Sequence, residues 1–187
     1  MLASRGQPCI WVHARIVDEQ GNDAEPHTVG EIIVESKSIM VGYWHMEEET
    51  ARTIINGWIH TGDMGYYDEK GFIYIVDRKK DVIITGGENV YPREVEEVLY
   101  RHPAILEVAV VAAPDDVWVE RVHAEIVLKE GQQAIADEIV SFCKSNLARY
   151  KAPRSVTFVP TLPKNPQGKI LKREIRDKYW QGHVRKI

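Results

Sequence analysis

The rhythm of apolar and polar positions changes near residue 80. Before it the chain reads as β structure. Ile10 to Val17 is a β-rich run closed by the turn-forming cluster Asp18-Glu19-Gln20-Gly21-Asn22, which suits a hairpin connection. Gly30 to Glu35 predicts a second strand. Glu47 to Ile55 places three acids ahead of Ile54 and Ile55, the charge order of a short helix with a favoured N-terminus. Trp58-Ile59-His60 returns to extended chain, Thr61 to Gly65 reads as a polar loop flanked by glycine, and Phe72 to Val76 as a last strand. Five charged residues follow, Asp77-Arg78-Lys79-Lys80-Asp81, and such a break between apolar runs predicts a solvated joint.

Beyond the joint, strands and helices alternate. Val82-Ile83-Ile84 leads to a loop from Thr85 to Tyr91 with Gly86 and Gly87 at its centre. Pro92 suits a helical first turn, where its missing N–H costs nothing. Val95, Val98 and Leu99 mark the apolar stripe of that helix, which Pro103 ends. Ile105 to Ala112 and Val122 to Leu128 are nearly continuous apolar strands around a turn at Pro114-Asp115-Asp116. Ala134 to Leu147 carries Ile135, Ile139, Phe142, Cys143 and Leu147 at helical spacing. Ser155 to Val159 is a short strand. A loop broken by Pro163, Pro166 and Gly168 then precedes a terminal helix with Leu171, Ile175 and Tyr179 on one side. The fold class predicted is α+β, a mostly β N-terminal piece followed by a small α/β domain.

Composition adds little to this picture but excludes several functions. With 44% hydrophobic and 28% charged residues the chain is ordinary for a globular protein. A net charge of -4 gives no basic field to attract nucleic acid. The start, Met-Leu-Ala-Ser-Arg-Gly, lacks the apolar stretch of a signal peptide, and no run approaches transmembrane length. Cys9 and Cys143 form no paired motif and are expected to be reduced thiols, so a cytoplasmic location is the expectation. No metal-ligand spacing occurs among the seven histidines, and neither a nucleophile elbow nor a Walker sequence is present.

Four features carry candidate chemistry. Asp63 could accept two vicinal sugar hydroxyls, or bond its own backbone as a turn residue. Arg78 could pair with Asp77 or Asp81, or hold a ribose or phosphate edge. Gly86-Gly87 is either a turn requiring positive φ or a place where a ligand passes close to the backbone. Lys169 is either a solvated lysine or a mobile cation delivered to negative charge on a phosphate or carboxylate.

Taken in order, these features resemble the adenylate-forming superfamily: acyl-CoA synthetases, luciferases and peptide-synthetase adenylation domains. The segment Gly30-Glu31-Ile32 through Gly42-Tyr43-Trp44 is similar to a family motif. Gly57-Trp58-Ile59-His60-Thr61-Gly62-Asp63 matches the ribose loop. Asp77 to Asp81 with Gly86-Gly87-Glu88-Asn89-Val90-Tyr91-Pro92 resembles the hinge and the glycine loop after it. Pro163 to Ile170 resembles the loop of the catalytic lysine.

The resemblance implies that a carboxylic acid attacks Mg-ATP to give an acyl-adenylate, from which coenzyme A then takes the acyl group. By the same carry-over Asp63 and Arg78 bind the nucleotide, Lys169 is catalytic and Lys80 is the hinge. Gly86, Gly87 and Lys144 contact CoA. Residues 1–79 would be the end of the large AMP-binding domain, part of a distorted β-barrel, and 80–187 a mobile lid. ATP, Mg2+ held mostly outside this chain, and CoA are the implied cofactors, and the missing N-terminal domain of the same enzyme the implied partner. The Gly-Gly-Glu-Asn-Val-Tyr-Pro form resembles fatty acyl-CoA synthetases more than amino-acid-activating domains. Two departures stand out: Val119-Glu120 replaces a usual Gly-Glu pair, and Ile84 stands where some relatives have lysine. As an isolated piece the chain is expected to be inactive. The rival readings are a stand-alone interaction module and an adenylating enzyme that loads a carrier protein.

Overall fold

The computed structural model describes residues 4–183 and divides between Lys80 and Asp81 into two units. The reading of the N-terminus for a signal peptide rests partly on Met1, Leu2 and Ala3, which lie outside the described residues.

The first unit is an antiparallel sheet of β1 (Val12–Val17), β2 (Gly30–Ser36), β3 (Ile54–Ile55), β4 (Trp58–Tyr67) and β5 (Ile73–Arg78). Helix α1 (Glu47–Thr53) precedes β3. The long strand β4 takes β2 along one edge and shares the other between β3 and β5. Ile16, Ala24 and Ile32 form a small buried core with Val34, Tyr67, Ile73 and Ile75 packed on it. The loop expected at Thr61 to Gly65 is instead part of β4. Its glycines made it look like a loop, but they serve an irregular strand. Gly62 has φ +69°, and the register with β5 shifts between Met64 and Gly65, so the segment is a bulged strand that still pairs on both sides.

The second unit is built on β8 (Ile105–Asp115) and β9 (Val119–Leu128), a long antiparallel pair. The other edge of β9 carries β10 (Ser155–Phe158), in parallel, and β6 (Ile83–Thr85), which pairs with β7 (Glu88–Val90). The β9–β10 crossover is made by α3 (Ala136–Asn146), as a parallel connection requires. Alternate residues of the central pair face two cores. Val108, Val110, Val122, Ala124 and Ile126 join Val95, Val98 and Leu99 of α2 (Pro92–Leu99) and Ile139 and Cys143 of α3. Ala109, Val111 and Val127 join Ile175 of α4 (Lys172–Tyr179). Burial on both faces explains why these strands read as continuous apolar runs. It also pushes the Cys143 thiol up to about 11, whereas Cys9 is exposed. Among the described residues no helix is long and apolar enough to cross a membrane.

Two turns differ from expectation. The loop predicted from Thr85 to Tyr91 is a tight hairpin, β6 to β7, closed by Gly86 (φ +60°) and Gly87 (φ +84°). Two consecutive positive φ angles are what a two-residue hairpin demands, and glycine supplies them without strain. The turn expected at Pro114-Asp115-Asp116 begins later, because Pro114 and Asp115 still pair with Glu120 and Val119. Asp115 Oδ1 accepts the backbone N–H groups of Val117 and Trp118 and so organises the turn.

That turn ends in strain. Val119 has φ +69°, the left-handed region that a β-branched residue rarely enters. Its side chain is 65% exposed, so little packing is lost on truncation. Val119→Gly is therefore expected to stabilise the chain by about 1 kcal/mol, relief of left-handed strain outweighing the added chain entropy of glycine. A higher urea midpoint at unchanged slope would show this. A lower midpoint would mean that the valine makes contacts worth more than the strain.

Candidate functional site

In the first unit the candidate residues gather around Glu31. Its side chain is buried where β2 meets β4, and three groups reach it. Gly62 N–H donates to Oε1 at 3.2 Å, Lys79 Nζ donates to Oε2 at 2.8 Å, and His60 Nδ1 lies 3.1 Å from Oε2. Burial works to raise the Glu31 pKa, but the hydrogen bonds from Lys79 and His60 outweigh it and hold the carboxyl below its ordinary value. Thr61 Oγ1 donates to the carbonyl of Ile32 at 2.6 Å and accepts the N–H of Asp63 at 3.1 Å. These bonds pin the bulge from both sides.

The pinned backbone presents Asp63 opposite Arg78 across β4 and β5. Arg78 Nε lies 2.6 Å from Asp63 Oδ1, with the two side chains 51% and 28% exposed. Of the partners weighed for Arg78, neither Asp77 nor Asp81 but Asp63 takes its guanidinium. Asp77 Oδ1 accepts the backbone N–H of Arg78, and Asp81 pairs with Arg176. A half-buried carboxylate and a fixed guanidinium side by side can accept from and donate to one polar ligand together.

In the second unit, the Gly86-Gly87 turn, Ile84, Val117, Trp118, Val119 and Glu120 line an open cavity of about 330 Å³. Gly86 is required here twice over, by its φ and because a Cβ would collide with the ring of Trp118. Arg154 covers Trp118, with its guanidinium carbon 4.8 Å from the ring centroid. Buried Glu120 accepts the N–H of Ile84 at 2.9 Å and so ties the hairpin to β9. The strained Val119 is the position where the sequence departs from Gly-Glu, and the departure leaves the left-handed backbone in place.

Lys169 is exposed at the end of a preorganised turn. Asn165 Oδ1 accepts the N–H groups of Gln167 at 3.1 Å and Lys169 at 2.8 Å, and Asn165 N–H donates to the Lys169 carbonyl at 2.9 Å. Lys164 pairs with Glu107 ahead of the turn, and Lys172 with Glu96 behind it at 2.8 Å. Asn165 had no role in the sequence reading, although an Asn-Pro pair is a turn-initiating signal that could have marked it. Lys144 is exposed in the last turn of α3, and Lys80 is exposed at the division of the units. The structure therefore brings Asp63 to Arg78 and Gly86 to Trp118. It places Lys144 and Lys169 on separate elements of the second unit.

No group of three His, Cys, Asp or Glu side chains suited to a metal occurs among the described residues.

Comparison with known proteins gives this geometry a context. Residues 94–169 match the AMP-binding enzyme C-terminal domain. The chain is 43% identical over 187 residues to a fatty acid–[acyl-carrier-protein] ligase of Streptomyces coeruleorubidus, covering 100% of this chain and 36% of that protein. It is 50% identical over 178 residues to a long-chain-fatty-acid–CoA ligase of Bacillus subtilis, covering 94% and 32% respectively. The o-succinylbenzoate CoA synthetase of Bacillus subtilis, solved with its acyl-adenylate intermediate, superposes with a TM-score of 0.85 at 40% identity, over 93% of this chain and 35% of that one. The same enzyme has been solved with ATP and magnesium ion. The chain thus spans about a third of the length of the relatives it matches. By this match residues 94–169 carry the AMP-binding enzyme C-terminal domain, and nearly the whole chain is similar to the C-terminal third of acid-activating ligases.

Proposed function

We propose that these residues are the C-terminal portion of an acid–CoA ligase. In the reaction, a carboxylate oxygen attacks the α-phosphorus of ATP and the bond to pyrophosphate breaks, giving an acyl-adenylate. The thiol of coenzyme A then attacks the acyl carbonyl, loses its proton, and displaces AMP. The observation that carries this reading is identity of 43–50% to acid-activating ligases across 94–100% of the chain.

In this reading residues 1–79 close the large AMP-binding domain and 80–187 form its mobile lid. Asp63 accepts the ribose hydroxyls beside Arg78, consistent with a half-buried carboxylate held by one guanidinium. Lys169 offsets the negative charge that develops on the phosphate and carboxylate oxygens. Lys80 is the pivot. Gly86 and Gly87 leave room for the slender pantetheine arm, and Lys144 lies near the CoA nucleotide. ATP brings Mg2+ with it, and in this reading the ion is held mostly by the part of the enzyme outside this chain.

The test uses the full-length enzyme that contains this chain. Acid-dependent exchange of pyrophosphate into ATP, together with CoA-dependent release of AMP, is the expected result. Failure to exchange with any of a panel of aliphatic and aromatic acids would overturn the reading. The Streptomyces relative favours a second acceptor, because it matches along the whole of this chain. Acyl transfer to a phosphopantetheinylated carrier, with none to free CoA, would replace the first reading with the second.

A further inference from the structure

Glu96 stands on α2, yet its carboxylate serves two other elements. Among the described residues β8 pairs with β9 alone, so the N–H groups on its outer edge need other acceptors. Val110 is fully buried on that strand, and a buried N–H left unpaired is costly. Glu96 Oε1 accepts it at 2.7 Å. The same oxygen lies 2.8 Å from Nζ of Lys172, the first residue of α4, with the glutamate and lysine side chains 14% and 20% exposed. The core strand thus fixes the carboxylate, and the carboxylate fixes the lysine. A cation at the first position of a helix opposes the helix dipole, so α4 by itself disfavours a lysine there.

The loop ahead of α4 is closed by its own bonds. Leu171 N–H donates to the Pro163 carbonyl at 2.9 Å, Lys164 and Ile170 form an antiparallel bridge, and Asn165 holds the tip. Such a loop moves as one piece, so the direction of Lys169 is set by whatever grips its two legs. Buried Leu162 and half-buried Ile170 seat the legs on the core, but apolar contact is non-directional. On the entering leg Lys164 pairs with Glu107, an ion pair exposed enough to contribute little. The more enclosed pair, Lys172 with Glu96, grips the leaving leg three residues beyond Lys169. We propose that Glu96 is a positioning residue for Lys169, aiming it through Lys172 without touching substrate. The consequence for adenylation rests on the ligase reading, but the grip itself does not.

The test needs variants that loosen the grip and spare the strand. Glu96→Gln keeps an oxygen for the Val110 N–H and removes only the charge that Lys172 meets. Lys172→Gln removes the pair from the other side, and Lys172→Arg retains it. In the full-length enzyme Glu96→Gln and Lys172→Gln are each expected to slow acid-dependent pyrophosphate exchange about tenfold, with thioester formation from supplied acyl-adenylate changed by no more than about twofold. The double variant should lose no more than either single one, and Lys172→Arg should exchange at close to the parent rate. In the 187-residue chain, NMR relaxation should show the amide order parameters of Gly168 and Lys169 falling from about 0.85 to about 0.6 in Glu96→Gln. Unchanged order parameters overturn the proposal. So does exchange spared in Glu96→Gln but lost in Lys172→Gln, which would mean that Lys172 meets the substrate itself. Equal losses in both half-reactions also overturn it, since the pair would then hold the domain together rather than aim one residue. Absence of exchange in the parent enzyme would count against the ligase reading alone, and the relaxation measurement would still decide the grip.

Discussion

Lys169→Ala in the full-length ligase is expected to slow adenylation about 100- to 1000-fold, while thioester formation from supplied acyl-adenylate changes by no more than about twofold. The asymmetry follows from where charge develops. In the first half-reaction, negative charge gathers on the phosphate and acyl oxygens as pyrophosphate departs, and a positioned ammonium lowers that barrier. In the second, the phosphate leaves as AMP and the same cation has no comparable part.

The proposed delivery role suits a turn that is fixed by its own hydrogen bonds. Asn165 holds the Lys169 N–H at 2.8 Å, Lys172 anchors the following helix to Glu96, and the Lys169 side chain is left exposed. Acid-dependent pyrophosphate exchange measures the first half-reaction, and acyl-CoA formed from synthetic acyl-adenylate measures the second. Equal losses in both would contradict the assignment, since they would mean that Lys169 holds the domain together rather than acting in one step.

Acidification is expected to destabilise the second unit through His123. This side chain lies on the face of β9 that packs against α4. Tyr179 sits against the ring, with centroids 4.3 Å apart, and Tyr179 Oη donates to Glu125 at 2.8 Å. Arg121 Nε donates to Ser155 Oγ at 3.2 Å. The serine can then give its own proton to His123 Nδ1 at 2.7 Å, which leaves the imidazole proton on Nε2 in the neutral ring. Nε2 is buried with no partner among the protein atoms. Charging the ring would place a cation in this enclosed site, beside Arg121, and would reverse the serine bond, with Nδ1–H then donating to Oγ.

Burial, and after it the charge of Arg121, accordingly lower the His123 pKa from 6.5 to about 4. The unfolded chain therefore binds a proton more readily than the folded one. The contribution is complete above pH 6.5 and is lost as pH falls from there to about 4. At about 1.4 kcal/mol per pH unit, the loss is about 3 kcal/mol at most. Urea unfolding across this range should show the loss in the parent chain. A His123→Gln variant, which can still bond Ser155, should show a flatter profile. Parallel profiles for the two chains would exclude His123 as the source. The acidic residues are the same in both chains, so the difference between the two profiles reports His123.

Much of the fold was legible because it is written in local pattern. Pro92 and the stripe of Val95, Val98 and Leu99 define α2 without reference to anything distant. The apolar runs around Val108 and Ala124 are strands because both faces of the central pair are buried, a property that composition alone reveals. The ordered motifs around Asp63, Gly86 and Lys169 were equally plain, and their resemblance to adenylate-forming enzymes agrees with the AMP-binding enzyme C-terminal domain that residues 94–169 match.

Other features depended on residues far away in sequence. Thr61 to Gly65 looked like a loop because glycine and polar residues usually break strands. Strand pairing with β2 and β5, and the reach of Glu31 into Gly62, turned it into a bulged strand. Arg78 found Asp63 rather than its neighbours, since antiparallel register sets the two side by side whereas sequence adjacency points them apart. The left-handed backbone at Val119 could not be read from a valine, because only the closure of the β8–β9 turn imposes it. The two ion pairs on either side of Lys80 are the extreme case. Sequence marks the five charges from Asp77 to Asp81 as a solvated joint, since charge runs usually are. Only folding decides that Lys79 turns to Glu31 and Asp81 to Arg176, because a partner 48 or 95 residues away leaves no periodic trace in the chain between.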